Sequence, residues 1–378
     1  MKKIVLSIAT IALSLVAFAQ PSPRKVQVSI LFDTSNSMDG LIDQAKSRIW
    51  SIVNEVSELT YQGQTPDIEF ALYQYGNDGL EMSDNYIQLV LDMTTDLDEV
   101  SQKLFALTTN GGSEFCGAVI GRSLSDLNWS NDPNDLKMIY IAGNERFNQG
   151  PVDYKIECKK AADKGIFINT IYCGNYDQGV KEFWKDGAEC SSGDYFNIDS
   201  DKEVVHIDTP YDTKIDKYND SINDTYYGYG SLGRSKKAMQ ATEDANAESK
   251  AMSVKTERAI VKSKGKVYKN ASWDLVDAVD EGKDINEIEE SQLPKEFQGK
   301  TAEEKEALIK EKKSDRERYQ KEIGKLAKER EAYIAEERKK RAEEGAEEDD
   351  FGTSVNKSIM EKAKEIGYEK AIEEAPGQ

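Results

Sequence analysis

Near the start of the chain, Asp33-Thr34-Ser35-Asn36-Ser37 places a carboxylate and two hydroxyls at alternate positions. Where the backbone turns tightly, Asp33, Ser35 and Ser37 can aim their oxygens at one point. A carboxylate with two hydroxyls suits a hard divalent cation, which takes oxygen ligands and keeps some of its water. Mg²⁺ is the expected ion, with Mn²⁺ or Ca²⁺ as alternatives. Other chemistry is thinly supplied. The only histidine is His206, no CxxC pair occurs, and G-x-S-x-G, GxxxxGK and HExxH are absent. A thiolate–imidazole zinc site would lack ligands. A general base would have to be a carboxylate, and among 70 Asp and Glu none stands out. A carboxylate-dependent hydrolase therefore ranks last, and the chain reads as a binding protein and not an enzyme.

The elements around these residues say where they sit. Val26, Val28, Ile30 and Phe32 alternate as a strand does and end at Asp33. Ile42, Ala45, Ile49, Ile52, Val53 and Val56 recur at three- and four-residue spacing, the apolar face of a helix. Further strands are expected at 67–75, 86–93, 137–142, 166–173 and 195–198. Helices are expected at 97–107, 116–127, 153–164 and 180–188. Strands separated by helices in this rhythm call for an α/β fold, a doubly wound and mostly parallel sheet covered on both faces. Ligands of such sheets bind beyond the carboxyl ends of the strands, where strand order reverses. Asp33, Ala142-Gly143-Asn144 and Cys173-Gly174-Asn175 all lie at such ends.

With that placement, Ile30 to Met38, ILFDTSNSM, resembles the first signature of the von Willebrand factor A family, whose loop forms a metal-ion-dependent adhesion site. The resemblance covers residues 24–206. It implies a second loop with a threonine after paired glycines, matched here by Thr109-Asn110-Gly111-Gly112-Ser113-Glu114 with Ser113 in the threonine's place. It also implies an aspartate at the end of the next central strand. This chain has Gly143 there, and Asn144 and Glu145 are the nearest oxygen donors. The metal ligands implied are thus Asp33, Ser35, Ser37 and Ser113, with Asn144 in the third loop. On this reading Gly143→Asp should strengthen the site. The family fills the ion's open position with a partner's carboxylate, so the implied partner is a protein presenting an Asp or Glu. Asp39, Tyr75, Asn77, Asp78 and Glu114 would surround the mouth. Ala71 to Gly79 (ALYQYGNDG) and Ser272 to Val276 (SWDLV) are similar to exported bacterial A-domain proteins with charged helical tails.

Residues 1–19 read as a signal peptide: Lys2 and Lys3, an apolar run too short for the roughly 20 residues of a spanning helix, then Ala17-Phe18-Ala19 before the cut. The mature chain is expected to be periplasmic or secreted, with no membrane span. A net charge of -20 opposes nucleic acid and anionic lipid. In an oxidising compartment Cys116, Cys158, Cys173 and Cys190 suggest two disulfides, Cys158–Cys173 and Cys116–Cys190 being favoured among three pairings. Residues 207–232 read as a linker and 233–378 as a charged helical extension. Within it, 301–344 is Glu, Lys, Arg and Ala-rich, with Tyr319, Leu326 and Tyr333 at heptad spacing. It is either a coiled coil that would allow self-association or a single solvated helix. The expected function is divalent-metal-dependent binding of a protein partner. The alternative is a metal-free scaffold that assembles through its helical tail.

Overall fold

A computed structural model describes residues 23–198, 206–265, 267–344 and 351–370. The signal-peptide region lies outside the described residues. Among them no helix is long and apolar enough to cross a membrane.

Chain order begins β1 (Lys25–Asp33), α1 (Ile42–Val56), β2 (Leu59–Tyr61), β3 (Asp67–Tyr75), β4 (Ile87–Thr94), α2 (Leu97–Ala106), α3 (Cys116–Asp126), β5 (Leu136–Gly143) and α4 (Tyr154–Asp163). It continues β6 (Ile166–Cys173), α5 (Tyr176–Lys181), α6 (Trp184–Glu189) and β7 (Tyr195–Ile198). Six strands form one sheet in the order β4-β3-β1-β5-β6-β7. Every pairing is parallel except β3–β4, which makes β4 an antiparallel edge. This is the doubly wound, mostly parallel sheet expected, von Willebrand factor A-like in architecture. Strand order reverses at β1, whose partners β3 and β5 run out to opposite edges.

Two cores explain why the sheet is stable. One face holds Val26, Val28, Ile30 and Phe32 against α1 (Ile49, Ile52, Val53) and α2 (Val100, Leu104). The other holds Leu31, Ile139 and Ile141 against α3, α4 and Trp184 of α6. The alternation in β1 suggests a strand with one wet face, yet Gln27 and Ser29 are fully buried too. The Gln27 amide donates to Glu69 at 2.6 Å and its carbonyl accepts from Ser130 N at 2.7 Å, which satisfies it inside.

The same division corrects the cysteine pairing. Cys173 packs in the first core while Cys116 and Cys158 pack in the second, so the sheet itself separates Cys173 from Cys158. The bond that forms is Cys158–Cys190, joining α4 to the end of α6 across 5.7 Å between Cα atoms. Cys116 and Cys173 are free and buried. The expected Cys158–Cys173 and Cys116–Cys190 bridges are both absent.

The remaining elements are α7 (Asp212–Asn223), α8 (Gly233–Lys250), α9 (Met252–Ser263), α10 (Leu275–Asp280), α11 (Ala302–Glu343), α12 (Phe351–Glu365) and β8 (Tyr368–Lys370). The stretch 207–232 is more than a linker, because Ile215 and Ile222 of α7 are buried with Tyr226 and Trp273. The helical extension expected from 233 breaks at the extended Ala251 (φ -167°, ψ 153°), which lets α9 fold back beside α8. α11 starts at a capping box made by Thr301 and Glu304 and runs 42 residues, about 63 Å. Its buried positions Ile309, Arg316, Ile323 and Arg330 recur every seven residues. The chain's own α7 and α9 cover that stripe. Arg316 donates to Asp274 and Thr225, both at 2.9 Å, and Arg330 to Asp212 at 2.8 Å. Buried ion pairs thus occupy places where a coiled coil would put aliphatic residues.

The chain then returns to the sheet. Phe351, Val355, Ile359 and Ala363 of α12 join the first core, and β8 pairs antiparallel with β2. Residues 207–344 therefore form an insertion between the last strand of the main sheet and the last helix that covers it.

Candidate metal centre

Asp33 ends β1 at the carboxyl edge, opposite Tyr75 of β3. The backbone then turns. Thr34 N donates to Tyr75 O at 2.9 Å, and Asn36 N to Gly111 O at 2.8 Å. Asn110 N donates to Thr34 O at 3.0 Å, so the first and second loops are laced together by main chain. Gly112 permits that approach. A Cβ there would lie 2.0 Å from Gly76 O and 2.7 Å from the Ser35 Cβ, which excludes every other residue.

The hydroxyls converge as their spacing suggests. Ser35 Oγ and Ser37 Oγ are 2.7 Å apart, and the Ser37 hydroxyl donates to Asn144 Oδ1 at 2.7 Å. Asn144 Nδ2 returns a bond to Ser37 O at 2.8 Å, tying the third loop to the first. Asp33 Oδ1 accepts from Ser35 N at 2.8 Å. Its other oxygen, Oδ2, is buried with no hydrogen-bond partner. Burial, with Glu114 and Glu145 adding repulsion, pushes the Asp33 carboxyl up to about 7. An unpartnered buried carboxylate oxygen is costly unless something positive or hydrogen-bonding meets it.

Glu114 is one of the five residues the sequence reading put around the mouth. Only 8 % exposed, it lies instead beside the cluster, next to Gly112 and Ser35, where burial raises its pKa. Ser113 is half-buried in the same loop, and among the described residues no hydrogen bond joins its hydroxyl to Asp33, Ser35 or Ser37. Spacing could not say which of two adjacent oxygen-bearing residues turns inward after a glycine pair. Tyr75 and Asn77 also move away from the mouth. Asn77 is buried, its amide donating to Thr108 O at 3.2 Å. The Tyr75 hydroxyl lies beneath the site, donating to Ala142 O at 3.0 Å. Asp39 and Asp78 are exposed at the rim.

That tyrosine explains Gly143. A Cβ at position 143 would stand 2.6 Å from the Tyr75 hydroxyl and 3.0 Å from both Asp33 Oδ2 and a Trp184 ring carbon. Much of the space an aspartate side chain would need is taken, which stands against the expectation that Gly143→Asp improves the site.

The donor set fits a hard cation: one carboxylate oxygen without a partner, two hydroxyls, an amide carbonyl and a second carboxylate nearby, all oxygen. Among the described residues no three His, Cys, Asp or Glu side chains form a metal-binding group. Two of these five donors are neutral hydroxyls, which hold a cation less strongly than carboxylates do.

No family model matches the chain, and no curated protein matches it. Solved structures similar to it include the conserved hypothetical protein BatB from Bacteroides thetaiotaomicron (16% identity, 46% of this chain, 90% of that one, TM-score 0.36). The SpRpn10 VWA domain is another (15% identity, 47% of this chain, 90% of that one, TM-score 0.35). A third is proximal thread matrix protein 1 from the mussel byssus, with a zinc-occupied MIDAS motif (11% identity, 48% of this chain, 43% of that one, TM-score 0.36). At these values the likeness adds nothing to what the strand order already establishes. The fold is von Willebrand factor A-like, and the Asp33 loop sits at its carboxyl edge.

Proposed function

We propose that this chain is an exported binding protein that holds a divalent cation, Mg²⁺ first, at Asp33, Ser35 and Ser37 and through it captures an acidic group of a protein partner. Two observations support this: Oδ2 of Asp33 is buried without a partner, and the Ser35 and Ser37 hydroxyls of the same loop lie 2.7 Å apart. Bound there, a cation would keep Asp33 ionised and draw an anionic oxygen to its open side. Asn144 orients Ser37, and Glu114 offers a second carboxylate where Gly143 offers none. Ser113 remains a candidate ligand by its loop position.

Thermal unfolding of the mature protein in chelator, then with Mg²⁺, Mn²⁺ or Ca²⁺, tests this. A cation at a hundred times its dissociation constant stabilises the folded state by about 2.7 kcal/mol. The parent should gain a higher midpoint and Asp33→Ala should not. An equal response in both, or none in the parent, refutes the site. A second reading, a metal-free scaffold, draws support from Tyr75 and Trp184 filling the space beside Gly143. It requires a chelator-insensitive midpoint and partner binding that survives Asp33→Ala.

A further inference from the structure

A cleft of about 320 Å³ opens between α1, α2, α8 and α9, and none of Asp33, Ser35, Ser37 or Asn144 lines it. That volume is at the small end of the range for ligand pockets. Its walls are Trp50, Phe105, Ala106, Ala247 and Val254. Its polar lining includes Glu243, 1 % exposed, whose Oε2 accepts from the Ser101 hydroxyl at 2.6 Å and whose Oε1 accepts from Asn246 Nδ2 at 3.2 Å. Both partners are neutral.

The surrounding cations are committed elsewhere. Arg258 donates through Nε to Asp244 at 2.8 Å and through Nη2 to Asp98. Lys262 donates to Asp244 at 2.7 Å. Lys46 points at the Leu107 and Phe105 carbonyls, Lys236 pairs with Asp96, and Lys250 pairs with Asp43 at the rim. Asp98 and Asp244 take the ion pairs of Arg258 and Lys262, and Glu243, which feels the Arg258 charge without forming an ion pair to it, is left as a buried carboxylate with no ion pair of its own among the described residues. A second group is also unsatisfied: Nη1 of Arg258, which lines the cleft, is buried without an acceptor.

We propose that this cleft binds a small organic ammonium compound with an apolar body, the ammonium meeting Glu243 and the body lying between Trp50 and Phe105. An ammonium supplies the missing counter-charge by charge-assisted hydrogen bonds. The apolar walls suit the organic body of such a ligand and offer nothing to a bare metal ion. An oxygen acceptor beside the ammonium, as in an α-amino acid, would in addition satisfy Arg258 Nη1.

Three probes with one apolar body and different heads separate these contributions: phenethylamine, L-phenylalanine and 3-phenylpropionate, titrated calorimetrically into the full mature chain. Phenethylamine and phenylalanine should bind and phenylpropionate should not. Glu243→Gln can accept from Asn246 through its carbonyl and donate to the Ser101 hydroxyl through its amide, so it should fold, yet weaken phenethylamine by about tenfold or more. Ala247→Phe, which fills the cleft from its wall, should abolish binding, and Asp33→Ala should leave it intact. No binding by any probe at millimolar concentration overturns the proposal. So does phenylpropionate binding as well as phenethylamine, or equal binding by the parent and Glu243→Gln.

Discussion

Replacing Gly143 by alanine adds one methyl group at the carboxyl end of β5, and the structure sets what that methyl meets. The Tyr75 hydroxyl would be 2.6 Å away, and Asp33 Oδ2 and a Trp184 ring carbon 3.0 Å away. None can retreat easily, because Tyr75, Asp33 and Trp184 are each 0 % exposed and β5 is bonded to a strand on either side. Overpacking of this kind costs about 1–3 kcal/mol. Tyr75→Phe removes the closest atom at the expense of its hydrogen bond to the Ala142 carbonyl, about 1 kcal/mol. Gly143→Ala should then be easier in the Tyr75→Phe background, giving a coupling of about 1 kcal/mol or more in a double-mutant cycle. Urea unfolding of the parent, the two single variants and the double variant measures it. Gly143→Asp has no room for its side chain beside Tyr75 and Trp184 and cannot place its carboxylate on the ion, so its Mg²⁺-induced stabilisation should be no greater than the parent's. Additive single effects, an unperturbed Gly143→Ala midpoint, or stronger Mg²⁺ stabilisation of Gly143→Asp would each refute the packing argument.

Other perturbations follow from the same geometry. Burial, with Glu58 adding repulsion, pushes Glu55 of α1 up to about 7. A carboxyl whose folded pKa is raised favours folding at low pH, and that contribution is lost as pH climbs from about 4.5 to 7, by roughly 3 kcal/mol. Glu55→Gln should therefore flatten this slope and gain most over the parent at pH 8. The same parent-to-variant difference at pH 5 and pH 8 would contradict it. Cys158 and Cys190 close a loop with a sequence separation of 32, so breaking that bond should cost about 3–4 kcal/mol on a chain-entropy view. Thiol counting on unfolded oxidised protein should find two free groups, and finding none or four would reject the pairing. Ile359→Ala in α12, though remote in sequence from the sheet, should destabilise the sheet by about 2–5 kcal/mol because Ile359 lies in its first core. Hydrogen exchange of β1 and β5 reads that directly, and unchanged protection would place α12 outside the core.

Much of the sheet was legible because local pattern and tertiary demand agree there. Strand ends at Asp33, Gly143 and Cys173 follow from short apolar runs between amphipathic helices, and the chemistry of DTSNS follows from residue type and spacing alone. Ser35, Ser37 and Asn144 do meet. What the pattern hid were relations between residues distant along the chain. Whether Ser113 or Glu114 faces Asp33 depends on main-chain bonds between two loops. The vacancy expected at Gly143 is filled by a hydroxyl from another strand. Cys158 cannot reach Cys173 because a sheet stands between them, and a sequence carries no record of which side of a sheet a residue takes.

The heptad stripe of α11 shows the boundary most clearly. Composition favours a long helix, since Ala, Glu, Lys and Arg need no partner to favour that backbone. Spacing alone could not decide what Arg316 and Arg330 face, because a charged residue in an apolar stripe reads as a defect until its carboxylate is located. Asp274, Asp277 and Asp212 supply those carboxylates from segments up to 118 residues away. The sequence thus determined the sheet's elements, the oxygen-rich loop and the long helix, all products of local backbone preference and periodic burial. Tertiary structure alone decided which groups are paired, which buried oxygen of Asp33 is left without a partner, and that the chain's last helix closes its first core. Those outcomes depend on distances between residues that no local interaction constrains.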